Sequence, residues 1–210
     1  MRHCIKNKTK TKIYIHLKRV VDLLFALFFF PFFVIIFILI APIIYFTDKG
    51  PVFYNAFRMG KNGKRFTMYK FRSMKINAPD LRNPDGSTFN SENDPRVTKI
   101  GRFIRKTSID ELPQLLNVLK GDMSLVGPRP TLYSNDYSIF DKQTKKRYEV
   151  LPGITGYTQA FYRNSIGQDE KFRYDSWYVD NMSFVLDVKV IFKTVASVLK
   201  QKDIFVKPNT

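Results

Sequence analysis

Asp110 and Glu111 are adjacent carboxylates set between three cations, Arg102, Arg105 and Lys106, and the rigid turn Gly127-Pro128-Arg129-Pro130. Two acids in a cationic surround suit metal-dependent phosphoryl transfer: a carboxylate attacks phosphorus, a divalent ion shields charge, and arginines clamp the phosphate oxygens. Chemistry of that kind needs a rigid mount. Leu112, Leu115, Leu116 and Leu119 recur at i, i+3, i+4, i+7, which predicts an amphipathic helix over about 110–120 ending at Gly121. Pro113 is tolerated only in a first turn, so the helix is expected to start near 108–110, with both acids at the positive end of its dipole. Ser108 and Glu111 also match a capping box, so on local pattern alone helix initiation explains the pair, and the surrounding cations are what point to chemistry; capping and catalysis are compatible. Neighbouring helical residues point about 100° apart, so only one of the two acids can face a phosphorus directly.

The elements that must carry this stretch follow from composition. The chain has 210 residues, a net charge of +17 and one cysteine, Cys4, which excludes an intrachain disulfide. That length suits one compact core plus an anchor. Such a charge implies an acidic partner, either nucleic acid or an anionic membrane surface. Residues 1–19 are basic with no acid, and residues 23–46 form an uncharged apolar run long enough to cross a bilayer. The run is too long and too rich in Phe for a cleaved signal peptide, so it is expected to be retained. Cations follow it as well, at Lys49, Arg58, Lys61, Lys64 and Arg65, as expected if both flanks are cytoplasmic. Pro31 lies inside the run and predicts a kink or break; a plain spanning helix with tolerated prolines is the other reading.

Beyond Gly50-Pro51 the composition is that of a soluble domain. Residues 52–54 and 66–71 read as a short hairpin around Gly60-Lys61-Asn62-Gly63, with Lys70 and Arg72 on one strand face. Residues 76–95 read as a long polar loop, and 136–149 as a charged helix whose Lys142, Lys145, Lys146 and Arg147 are expected in solvent. Pro152-Gly153-Ile154-Thr155-Gly156 reads as a tight loop, either a structural turn or a place where backbone N–H groups approach an anion. A helix is expected over 170–180, its aromatic residues in the core or at a lipid interface. Val188, Ile191, Phe192, Val195, Val198 and Leu199 predict a final amphipathic helix, serving as a membrane-surface element or as a cover for the core.

The run TSIDELPQLLNVLKGDMSLVGPRP at 107–130, with YKFRSM before it and PGITG after it, resembles the bacterial sugar transferases. These are the small monotopic polyprenyl-phosphate phosphoglycosyltransferases that begin surface-glycan assembly, and the resemblance covers about 18–199. It implies a mixed α+β, mainly helical protein: a re-entrant membrane helix-break-helix (1–49), a small cytoplasmic catalytic domain with a β-hairpin and amphipathic interface helices (50–202), and a tail (203–210). The implied location is the cytoplasmic face of a bacterial inner membrane. The implied reaction moves phosphosugar from a nucleoside diphosphate sugar, a UDP-sugar by family habit, to polyprenyl phosphate (undecaprenyl phosphate), and Asp110 is the covalent nucleophile. Asp110 and Glu111 would hold Mg²⁺, and Glu111 would serve the metal or a proton. Arg105 and Arg129 would bind phosphate, with Lys70, Arg72, Gln159, Arg163 and Asp175 completing the substrate contacts.

The sequence departs from the family pattern in several places. Phe30 precedes Pro31 where a serine is usual, Asn55-Ala56 stands where a glutamine is common, and Leu151 and Tyr157 replace a basic residue and a tryptophan. A phosphate contact at 151 is thereby lost, and nucleotide or sugar preference is expected to differ. A cationic membrane scaffold without catalysis would leave the acidic pair and the Pro-Arg-Pro turn unexplained. A nucleic-acid binder would leave the apolar run unexplained, so no nucleic-acid partner is expected. No motif specifies an oligomeric state.

Overall fold

The computed structural model describes residues 2–81, 89, 91, 93–133, 137–163 and 165–200, with side chains from residue 14 onward. The first element, α1, is a helix over Arg2–Asp48 with Pro31 and Pro42 inside it. The expected helix-break-helix is therefore replaced by one continuous helix. A proline removes a single N–H bond, and packing of the surrounding turns can hold the helix through that loss.

That packing is one-sided. Asp22, Ala26, Phe33, Ile40 and Ile44 are buried along a single stripe. Phe37 and Phe71 each stack on Phe53, at 5.5 and 5.6 Å between ring centroids, which ties the helix to the sheet below it. The other face leaves Leu24, Leu27, Phe28, Phe32, Ile35 and Phe46 exposed. The most apolar 18 residues within Tyr14–Asp48 have a mean hydropathy of 3.2 and only 17% of them are buried, so the helix is far too apolar for the little of itself that it covers.

β1 (Phe53–Met59) and β2 (Arg65–Phe71) pair antiparallel from Phe53↔Phe71 to Met59↔Arg65. β1 is longer than expected, and the turn holds a short 3-10 segment, Lys61–Gly63. Later, β4 (Thr131–Leu132) joins the free edge of β1, so the sheet has three strands in the order β2-β1-β4. Chain 99–106 forms α2 (Lys99–Lys106), capped by Thr98 Oγ1 accepting from Gly101 N at 2.9 Å.

The predicted leucine helix is present but starts later than expected. α3 spans Gln114–Lys120 with Pro113 at its N-cap, and Gly121 ends it in the left-handed region at φ 95°. Leu115 is buried and Leu112, Leu116 and Leu119 pack beside it against Ala26, Phe66 and Met68. Full burial of a leucine contributes about 1.5–3 kcal/mol, which Leu115 gains in full and the other three in part. Asn117, fully buried, pins α3 to β2: its Nδ2 donates to Thr67 O at 2.7 Å and its Oδ1 accepts from Tyr69 N at 3.0 Å.

The remaining elements form a second cluster. β3 (Ser124–Val126) pairs in parallel with β5 (Gly153–Thr155), so the Pro-Gly-Ile-Thr-Gly motif is a strand and not an open loop. Gly153 N donates to Pro128 O at 3.0 Å and Gly127 N to Thr155 O at 2.9 Å. A Cβ on Gly153 would overlap the Gly127 backbone. These glycines exist to let two backbones touch, which supports the structural-turn reading over the anion cradle.

Between these strands the expected helix over 136–149 is reduced to a 3-10 turn, Tyr137–Ile139, and α4, Lys142–Lys146; residue 136 lies outside the described residues. After β5 come α5 (Tyr157–Phe161), α6 (Gln168–Asn181) and α7 (Phe184–Leu199). Tyr178, Val179 and Val190 close the core with Leu125, Val126 and Ala160. On α7 the outward residues Phe184, Val185, Phe192, Val195 and Leu199 stay exposed, so the helix covers the core with one face and presents a second apolar face outward. Parts of the expected 76–95 loop (82–88, 90 and 92), Asn164 and the 203–210 tail lie outside the described residues.

Candidate active site

Asp110 and Glu111 do not sit in the first turn of α3. They lie on a separate 3-10 turn, Ile109–Glu111, which leaves α2 through Ser108 in the left-handed region at φ 59°. The capping box does not form, because Ser108 makes no side-chain cap bond. A non-glycine residue at positive φ costs on the order of 1–3 kcal/mol and is held only where neighbours over-determine it. Here α2 on one side and Pro113 with α3 on the other fix the turn, so the two carboxylates are presented by a strained bridge between helices.

Docking of α3 on β2 through Asn117 brings Lys70 to this turn. Lys70 Nζ lies 2.6 Å from Glu111 Oε1 and 4.0 Å from Asp110 Oδ2. Arg129 Nη1 approaches Glu111 Oε1 at 3.9 Å, and the Arg129 side chain keeps 54% of its exposure while Asp110 keeps 13%. The acids are thus shielded, and the arginine stands in the opening.

The two carboxyls are driven apart in acidity. Burial raises Asp110 to about 6, with Lys70 pulling down, Glu111 pushing up, and Arg105 and Arg129 pulling down more weakly. Burial also opposes charge on Glu111, yet Lys70, Arg129 and Arg163 together overcome it and hold this carboxyl below its ordinary value. Two adjacent acids pushed in opposite directions are the arrangement expected where one must stay anionic and the other must change state.

The other predicted residues divide. Arg105 is at the end of α2, donating from Nε to Ser73 Oγ at 2.8 Å, and its charge is among those acting on Asp110. Arg163 and Gln159 line the same cleft, Gln159 Nε2 donating to Ile154 O at 3.2 Å. Arg72 also borders the cleft, but it is buried, donates to Asp48 Oδ2 at 2.6 Å and to Ile44 O at 3.2 Å, and so fastens the exit of α1 to the sheet. Asp175 is also buried, with one oxygen accepting from Thr158 Oγ1 at 2.9 Å and the other from Arg147 at 2.7 Å. Both of these are committed to the protein's own groups.

An open cleft of about 1870 Å³ is lined both by Lys70, Asp110, Glu111 and Arg129 and by Phe25, Phe29, Phe32 and Phe33 of α1. Charge for a diphosphate and an apolar wall on the exposed helix therefore share one space. For Mg²⁺ the donor chemistry fits: two hard carboxylate oxygens match an ion that binds through one or two carboxylates plus substrate phosphates and waters. Among the described residues no group of three His, Cys, Asp or Glu gathers, so a closed all-protein cage is not what these residues offer.

Three residues of structural weight escaped the sequence reading. Arg147, placed in a solvated charge run, is buried. Asn117 sits beside the leucine stripe, where a lone amide carries no signal. Asp187, on α7, accepts from Tyr14 OH at 2.7 Å and Tyr178 OH at 2.6 Å and pairs with Lys18, joining the start of the apolar helix to the last two helices. An acid among apolar residues was its only visible mark.

Comparison with known proteins shows the family. A family model described as bacterial sugar transferase matches residues 13–201. The "Uncharacterized sugar transferase EpsL" of Bacillus subtilis is 47% identical over 189 residues, 90% of each chain. The "Undecaprenyl-phosphate galactose phosphotransferase" of Salmonella typhimurium is 44% identical over 73% of this chain and 34% of its own length. The "UDP-N-acetylgalactosamine-undecaprenyl-phosphate N-acetylgalactosaminephosphotransferase" of Aeromonas hydrophila is 39% identical over 89% of this chain and 44% of its own. The chain thus spans nearly all of the Bacillus relative but less than half of the other two. The chain belongs to the bacterial sugar transferase family of polyprenyl-phosphate sugar-1-phosphate transferases.

Proposed function

We propose that this chain transfers phosphosugar from a nucleoside diphosphate sugar to a polyprenyl phosphate, with Asp110 as the nucleophile. Family membership supports the general reaction, and relatives whose names specify undecaprenyl phosphate and galactose or N-acetylgalactosamine make a UDP-sugar and undecaprenyl phosphate the first substrates to try. The observation that carries the proposal is the shared cleft, with the acidic pair and Arg129 on one wall and phenylalanines of α1 on another.

In the first step an Asp110 oxygen forms a bond to the donor's β-phosphorus, and the bond from that phosphorus to the bridging oxygen breaks. Nucleoside monophosphate leaves with the electron pair. In the second step a phosphate oxygen of the lipid attacks the same phosphorus and the Asp110 carboxylate is released. A pKa of about 6 leaves Asp110 mostly ionised near neutrality while keeping it a better leaving group than an alkoxide. Lys70 keeps Glu111 anionic at its side. Arg129 and Arg105 bind phosphate oxygens. Asp110 and Glu111 would hold Mg²⁺, which when bound offsets repulsion between carboxylate and diphosphate. Screening nucleoside diphosphate sugars for monophosphate release, with undecaprenyl phosphate and purified protein in detergent, tests the reading; no release from any donor would reject it.

The same reading places both ends of the apolar helix on the catalytic domain's face of the membrane, the cytoplasmic one. Asp22 Oδ1 accepts from Leu125 N at 3.1 Å near one end, and Asp48 pairs with Arg72 at the other. A straight helix of that length would measure about 39 Å, more than a bilayer core. One small domain gripping both ends supports a helix immersed in a single leaflet, its exposed stripe and the outward face of α7 toward lipid. In a Cys4→Ser background, Lys8→Cys and Asn62→Cys should both react with an impermeant maleimide only after the cytoplasmic side is opened. Labelling of only one of the two from outside would establish a spanning helix.

A further inference from the structure

Arg147 is a buried, fully engaged cation, and the proposed mechanism does not use it. Its side chain and that of Asp175 each retain only 2% exposure. Nε and Nη2 donate to Asp175 Oδ2 at 3.2 and 2.7 Å, Nη1 donates to Tyr148 OH at 3.1 Å, and Nη2 also donates to the backbone carbonyl of Arg129 at 2.7 Å. The guanidinium plane is covered by the rings of Phe172 and Tyr148, at 4.4 and 5.0 Å from their centroids. Asp175 is itself held from behind by Thr158.

This arrangement has a direction. Arg129 lies between two prolines, in a turn whose backbone is pinned on one side by the Gly153 N–H bond to Pro128 O and on the other by β4. Its own carbonyl is held by a charged donor, and that donor is locked in place by a buried carboxylate and two aromatic faces. A planar fork with donors in fixed directions can serve three acceptors at once, whereas an ammonium on a flexible stem cannot reproduce that geometry. The Arg129 side chain, by contrast, is half exposed in the cleft.

We propose that Arg147 is a positioning residue for the phosphate clamp: through the Arg129 carbonyl it fixes where the Arg129 guanidinium stands relative to Asp110 and Glu111. Asp175, expected to contact substrate, acts instead as the anchor of Arg147. The inference rests on the reading of Arg129 as a phosphate-binding residue.

A double-mutant cycle tests it, with UDP as the probe, read by its dissociation constant for the purified full-length protein, and with monophosphate release as a second readout. Arg147→Lys should weaken UDP binding about tenfold, the scale of one charge-assisted hydrogen bond. In an Arg129→Ala background the same change should cost less than about twofold, because a residue acting through Arg129 has nothing left to position. Equal losses in both backgrounds would overturn the proposal and make Arg147 merely structural. UDP binding unaffected by Arg129→Ala alone would reject the clamp reading, and the positioning role with it. If Arg147→Lys does not fold, Asp175→Asn, which keeps the shape and removes the anchor's charge, is carried through the same cycle with the same expected coupling.

Discussion

Asp110→Asn is expected to abolish turnover while leaving a protein that is more stable than the wild type at neutral pH. The loss of activity follows because the amide cannot attack phosphorus, and the expected residual rate is below about one part in ten thousand, the scale seen when a covalent nucleophile is removed. The gain in stability follows from burial. Asp110 has a folded pKa of about 6 against an ordinary 3.8, so the folded state holds its proton more tightly than the unfolded chain. The sign is that of a raised acid: stability declines as pH rises from 3.8 through 6 and stays reduced above that. Replacing the carboxyl removes a penalty of about 1–3 kcal/mol at pH 7.5 and almost none at pH 3.5. Thermal denaturation of both proteins at those two pH values checks it. Equal melting temperatures at pH 7.5 would show that Asp110 is not a desolvated acid held for chemistry.

Lys70→Met is expected to have the next largest effect. Lys70 is the nearest cation to Glu111, and Arg129 approaches the same carboxylate at 3.9 Å. Without the ammonium, both Asp110 and Glu111 lose the main charge that opposes their burial and both carboxyls rise, so the acid limb of the rate profile should move to higher pH. The maximal rate should fall about 10²–10³-fold, the cost of removing a preorganised charge from a shielded site. Lys70→Arg should recover part of the rate, because charge is restored but the 2.6 Å contact is not. A pH–rate series on the three proteins decides the point; a rate drop with an unmoved acid limb would mean that Lys70 holds phosphate and not Glu111.

Local pattern revealed the part of this site that is local. The leucine stripe, its stop at Gly121, the acidic pair and the Pro-Arg-Pro turn were all legible, because helical periodicity and turn chemistry act over a few residues. The capping box failed for a tertiary reason: Ser108 is taken into the left-handed region by the close succession of α2 and the acidic turn, so its hydroxyl never reaches an N3 amide. Arg147 read as one member of a solvated run because its partner, Asp175, lies 28 residues on and on another helix. Arg72 and Asp175 were legible as charges near a motif, whereas their internal partners, Asp48 and Arg147, lie on distant elements that local pattern does not show. The glycines of 152–156 signalled close approach correctly, but the approaching group is the Gly127 backbone, not an anion.

The central claim is that donor chemistry precedes acceptor binding, through a bond from Asp110 to phosphorus. The most direct measurement mixes purified wild-type protein with its donor sugar nucleotide and Mg²⁺ in the absence of any lipid phosphate, then follows both nucleoside monophosphate and intact-protein mass. The account predicts release of about one monophosphate per enzyme, and a matching mass gain of one phosphosugar on the peptide carrying Asp110, discharged when undecaprenyl phosphate is added. Monophosphate appearing only once the lipid is present, with the protein mass unchanged throughout, would contradict it.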